Sequence, residues 1–181
     1  MNIKELLETN PNLTTADYKA LVEKFTGIVL PEEYEEFYTS PASTKFHGAK
    51  LHGLVRHSLL VYYFANKLSE AFGVEEISPI ACIFHDLCKV GAYRFKNPTD
   101  WGQAIQYNKD HIIIQHGPES LRRLYHLGIT LPEAWEFAVA YHMGAFLDKD
   151  AQTYSEACDK YPEVLLLHTA DMMASHLCRE E

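Results

Sequence analysis

Apolar positions along this chain recur mostly at helical spacing. His57, Leu60, Val61, Phe64 and Leu68 form one stripe, predicting an amphipathic helix from Leu54 to Phe72 that stops near Gly73. Ser78-Pro79 opens the next helix, whose apolar run IACIF ends at His85-Asp86. Upstream, Ile3 to Glu8 reads as a short helix. TTADYKALVEKF reads as a second with threonine caps, and PEEYEEFY as a third start with Pro31 in its first turn. SPASTKFHGAKLHG has the composition of a loop.

After Gly91 the pattern alternates. AYRFK and AIQYN flank NPTDWGQ, which predicts a small β-hairpin or an ordered loop. Helices resume at GPESLRRLYHLG, with Gly128 as its stop, and at TLPEAWEFAVAYHMG, where Thr130 and Glu133 have capping-box spacing. PEVLLLHTADMMASHLC is the last. The fold class is therefore all-α: a bundle of seven or eight helices with one small excursion, forming a single domain over 1–181. Residues 1–40 read as a helical appendage and 41–178 as the core.

The stripes carry ionisable groups. His57 is on the core side of its helix. His142 aligns with Trp135, Ala138 and Val139, and Asp171 with Val164, Leu167 and Ala174. An unpartnered buried charge costs several kcal/mol. Four predicted helices each aim a His or Asp inward, so they need a common partner. Neutral imidazoles with two carboxylates are a natural ligand set for one or two divalent ions, drawn from Mn, Fe, Co, Ni or Zn. The alternative is a buried His–Asp hydrogen-bond network without metal.

Composition narrows the partners. Among 181 residues, 16 are basic and 25 acidic, a net charge of -9, which excludes a general basic surface for nucleic acid or anionic lipid. None of the four cysteines forms a C-x-x-C pair, so a zinc knuckle is not expected. Cys82 and Cys88 read as small core residues. The start lacks an apolar signal core and no run reaches membrane-spanning length, so a cytoplasmic location is expected.

His57, then His85-Asp86, then Asp171 resembles the H…HD…D signature of the HD-domain superfamily of metal-dependent phosphohydrolases. PASTKFHGAKLHGLVRHSLLV looks like the segment before the first metal histidine in the branch containing the HD domain of bacterial 3'-5' exoribonucleases and small stand-alone HD hydrolases. HDLCK is similar to HD-x-x-K. QHGPESLRRL and AYHMG resemble later histidine motifs of dinuclear members. The likeness covers Pro41 to Ser175. It implies that His57, His85, Asp86 and Asp171 hold a first metal, that Asp86 bridges, and that His116 and His142 hold a second. Relatives with two adjacent histidines differ from Tyr141-His142-Met143 here.

The resemblance implies hydrolysis of a nucleotide or similar small phosphoester by metal-activated water, with Asp86 orienting the water and Lys89 stabilising charge on a phosphoryl oxygen. Ser43, Lys45 and His47 would form a lip of donors. Ser120 would join the helix N-terminus at Gly117-Pro118 in holding an anion. Tyr93 and Trp101 are candidates for stacking on a base. His168 reads equally as orienting a ligand or packing in the core, and Arg56, next to a ligand, reads equally as a surface residue. A small phosphorylated partner is expected, not duplex nucleic acid or membrane, and a homodimer stays open. Two other functions fit the same residues: a di-iron oxygenase of the superfamily, and a non-catalytic nucleotide-binding module.

Overall fold

A computed structural model describes residues 2–45, 47–96, 104–144 and 151–178. Their order is α1 (Ile3–Thr9), α2 (Thr15–Thr26), α3 (Gly53–Leu68), α4 (Pro79–Phe84), β1 (Tyr93–Phe95), β2 (Ile105–Tyr107), α5 (His116–His126), α6 (Glu133–Tyr141), α7 (Ala151–Lys160) and α8 (Pro162–Leu177). The architecture is the expected all-α bundle with one excursion, an antiparallel β1–β2 pair in which Tyr93 faces Tyr107. Residues 97–103 between these strands, Trp101 included, lie outside the described ones. No helix of the described residues is long and apolar enough to cross a membrane.

α3 and α8 pack on each other as the central pair, with α4 and α6 against them. The stripe on α3 is buried at His57, Leu60, Val61 and Phe64. Leu7 of α1 and Tyr18 and Val22 of α2 are buried in the same core. Thr14 caps α2 through a full capping box with Asp17, satisfying two end N–H groups at once.

Three local expectations need correction. PEEYEEFY forms a 3-10 helix, Glu32–Tyr38, behind Pro31, which supplies no side-chain acceptor for the free N–H groups. The helix from Leu54 stops at Leu68; a 3-10 turn, Glu70–Phe72, then leads into left-handed Gly73. The Thr130–Glu133 capping box does not form, because α6 starts at Glu133 behind Pro132. A residue before proline is steered away from helical ψ, so Leu131 cannot begin the helix. α7 was not anticipated: AQTYSEACDK is mostly polar, and only Tyr154, Ala157 and Cys158 pack inward.

Candidate metal centre

His85 and Asp86 sit where α4 ends. A 3-10 turn, Leu87–Lys89, follows, with Asp86 at its N-cap position. The turn is held from several sides. Cys88 N–H donates to Ser120 Oγ (3.1 Å), and His111 Nε2 meets the Cys88 carbonyl (3.0 Å). Arg123 Nη1 donates to the carbonyls of Leu87 and Val90, each at 3.0 Å. Glu119, almost fully buried, binds Arg122 and Arg123 together. These guanidinium groups hold its carboxyl at about 2, Arg122 contributing most.

The six expected ligands come together. His57 Nε2 lies 3.0 Å from Asp171 Oδ1 and 3.9 Å from Asp86 Oδ2. His85 Nε2 lies 3.3 Å from Asp86 Oδ2 and 3.9 Å from Asp171 Oδ1. The other carboxylate oxygen of Asp86 faces the opposite way: Oδ1 is 3.5 Å from His142 Nε2 and 3.9 Å from His116 Nδ1. Asp86 thus divides its two oxygens between two sets of imidazoles. Lys89 Nζ sits on Oδ2 at 2.7 Å.

Backbone carbonyls set two of these rings. His85 Nδ1 is 2.9 Å from Cys82 O, and His142 Nδ1 is 2.7 Å from Val139 O. A carbonyl only accepts, so each Nδ1 carries a proton and each ring is turned with its Nε2 toward Asp86. His168 Nδ1 in turn donates to the His142 carbonyl at 2.7 Å.

The donor set fits a metal better than a hydrogen-bond network. His57 Nε2, His85 Nε2, His142 Nε2 and Asp86 Oδ1 are buried and make no hydrogen bond among the described residues. Orphaned buried polar atoms are rare and costly, and here they converge. Two compact groups, His57-His85-Asp171 and His85-Asp86-His142, each gather donor atoms at ligand spacing. Such N/O sets suit divalent transition metals.

Electrostatics points the same way. Burial opposes charge on Asp86, but Lys89 and His85 outweigh it and its carboxyl is held well below the usual range. Burial likewise opposes charge on Asp171, and His57 overcomes it. Burial lowers the imidazolium stability of His57 and His116, keeping both in ligand form. His85 is the exception: burial lowers it, but the Asp86 and Asp171 carboxylates pull it up on balance. Of the two carboxylates, that of Asp86 pairs with the Lys89 ammonium.

The expected lip is only partly assembled. His47 is over the site, its ring 4.8 Å from that of His57 and its Nε2 3.3 Å from Ser175 Oγ. Burial, then the positive neighbours, depress it to about 4. Ser43 Oγ donates to the His47 carbonyl (2.9 Å), so it shapes the loop that presents His47. Lys45 is exposed on that loop.

Ser120 is corrected outright. It is fully buried and accepts the Cys88 N–H, so it belongs to the support of the HD turn. The start of α5 packs closely on α6, since a Cβ at Gly117 would stand 2.2 Å from Val139 O. Tyr93 rests edge-on against Tyr107 across the hairpin, and burial pushes its phenol up. Arg56 is not a plain surface residue, since it ties α3 to α1 through the Leu7 carbonyl at 2.8 Å.

Sequence reasoning missed Arg123, Glu119 and His111. The i, i+4 spacing of Glu119 and Arg123 was the available signal. It also missed that Cys88 Sγ lies 3.4 Å from His116 Nδ1, although burial keeps the thiol itself at about 12.

A family model described as HD domain matches residues 54–175. No curated protein and no solved structure matches the chain.

Proposed function

The chain belongs to the HD-domain family, and from that premise we propose that it is a metal-dependent phosphohydrolase acting on a nucleotide or similar small phosphoester. One observation carries the reading: Asp86 turns Oδ2 to His57 and His85, and Oδ1 to His116 and His142. That is the placement a carboxylate needs to bridge two ions. His57, His85, Asp86 and Asp171 would hold one ion, and Asp86, His116 and His142 the other.

Bound divalent ions supply neutralisation of phosphoryl oxygens and a water acidic enough to attack at neutral pH. The chain supplies the rest. The Asp86 carboxylate accepts a hydrogen bond from the attacking water and orients it. Lys89, nearly buried beside Asp86, places a positive charge where a phosphoryl oxygen gains charge in the transition state. A cleft of about 310 Å³ adjoins His57 and is lined by His47, Lys50 and Arg56 among others. It is at the small end of ligand sites, which favours a small phosphorylated molecule over duplex nucleic acid. Its cationic lining supplies, locally, the positive charge that an acidic chain lacks overall.

The test is metal content by elemental analysis on protein purified without a His-tag, then hydrolysis of p-nitrophenyl phosphate, bis-p-nitrophenyl phosphate and nucleoside monophosphates with Mn, Fe, Co, Ni or Zn. Turnover that needs metal and is lost in Asp86→Ala supports the reading. Metal-loaded protein that turns over none of these overturns it.

A further inference from the structure

We propose that Cys88 is a sulfur ligand of the second ion, so that this half of the centre is an O, N, S site rather than one of oxygen and nitrogen alone. The inference rests on the two-ion reading above and goes beyond its ligand set. Donor atoms of Asp86, Cys88 and His116 all lie within 4.8 Å of one another. The Sγ to Nδ1 spacing of 3.4 Å is what two ligands on a four-coordinate ion show: bonds of about 2.0 and 2.3 Å at a tetrahedral angle put N and S roughly 3.5 Å apart.

Two independent features aim the sulfur. The first is the backbone clamp. The N–H of Cys88 is engaged by Ser120 and its carbonyl by His111, while Arg123 holds the carbonyls of Leu87 and Val90. The backbone that carries Cys88 cannot shift without breaking these hydrogen bonds. The second is the orphaned pair beyond it. Asp86 Oδ1 and His142 Nε2 are buried without hydrogen-bond partners among the described residues and lie 3.5 Å apart. An ion held by Asp86, Cys88 and His116 would satisfy the buried Asp86 Oδ1.

Binding converts the Cys88 S–H to a thiolate–metal bond and releases its proton to solvent. A thiolate is soft, so it biases this position toward Zn, Co or Fe and away from Mn and Mg.

Cobalt(II) gives a direct readout. Titrated into metal-depleted protein, it should raise a near-ultraviolet thiolate-to-cobalt charge-transfer band. The band should be absent in Cys88→Ser and intact in Cys178→Ser, which alters a thiol lining the cleft beside His57. Cys88→Ser should weaken the second zinc equivalent by about 100-fold or more, at least the loss typical of a disturbed metal site. Cobalt that binds without the band, or a band that survives Cys88→Ser, overturns the proposal. Should Cys88→Ser fail to fold, X-ray absorption on zinc-loaded wild type decides, since a Zn–S shell near ~2.3 Å must be present. Phosphoester turnover without any sulfur signal removes Cys88 alone. A sulfur signal without turnover leaves the ligand standing and removes the hydrolase reading.

Discussion

Lys89 Nζ lies 2.7 Å from Asp86 Oδ2, the same oxygen that faces His57 and His85. The two residues are three apart on a single 3-10 turn, and both are buried. An ammonium so placed balances the carboxylate and stands beside any ion bound there. Lys89→Ala should therefore keep its metal and lower kcat by about 100- to 1,000-fold, the usual cost of one preorganised charge-stabilising donor. Metal analysis beside steady-state kinetics checks it. Unchanged turnover would remove Lys89 from the chemistry.

Asp86 and Asp171 differ in reach. Asp86 uses both oxygens, while Asp171 Oδ1 faces His57 and His85. Asp86→Ala should lose both ions, and Asp171→Ala one. Equal losses, measured by elemental analysis after gel filtration, would contradict the division of the Asp86 oxygens.

Glu119 gives a metal-independent effect of pH. Its folded carboxyl is held at about 2, below the ordinary 4.5. A depressed carboxylate stabilises the fold fully above its unfolded value and stops doing so as pH falls through its folded value. Glu119→Gln should thus cost about 2 kcal/mol at pH 7, allowing for the half-exposed Arg122 partner. The gap between wild type and variant should close from pH 4.5 toward pH 2. Urea melts across that range would show it, and a gap independent of pH would refute it.

Gly117 sets the approach of α5 to α6. An added Cβ would stand 2.2 Å from Val139 O and 2.3 Å from Ala140 O. Val139 O is also the carbonyl that orients His142. Gly117→Ala should lower stability by about 3 kcal/mol, at the upper end for overpacking, and weaken the second ion while sparing the first. Thermal melts with zinc titration separate these effects.

His168 donates to the His142 carbonyl from α8. His168→Ala should reduce affinity for the second ion by about 10-fold, as loss of an outer hydrogen bond usually does. Competition against a zinc indicator would measure it.

What the sequence determined by itself was the inward face of each helix. His57, His142 and Asp171 fall on apolar stripes, and periodicity is a local property of backbone geometry. Ionisable groups on buried faces announce a shared partner because burying charge alone is costly. The tertiary structure decided which atoms meet. The division of the Asp86 oxygens, the use of Ser120 as a backbone acceptor, the Arg123 clamp and the nearness of Cys88 to His116 all join residues 28 or more positions apart or depend on side-chain rotation. No local pattern encodes such meetings, since they follow from how α4, α5, α6 and α8 pack. Ser120 shows the difference most clearly: its place near a helix start was legible, but its burial under the HD turn was set by packing alone.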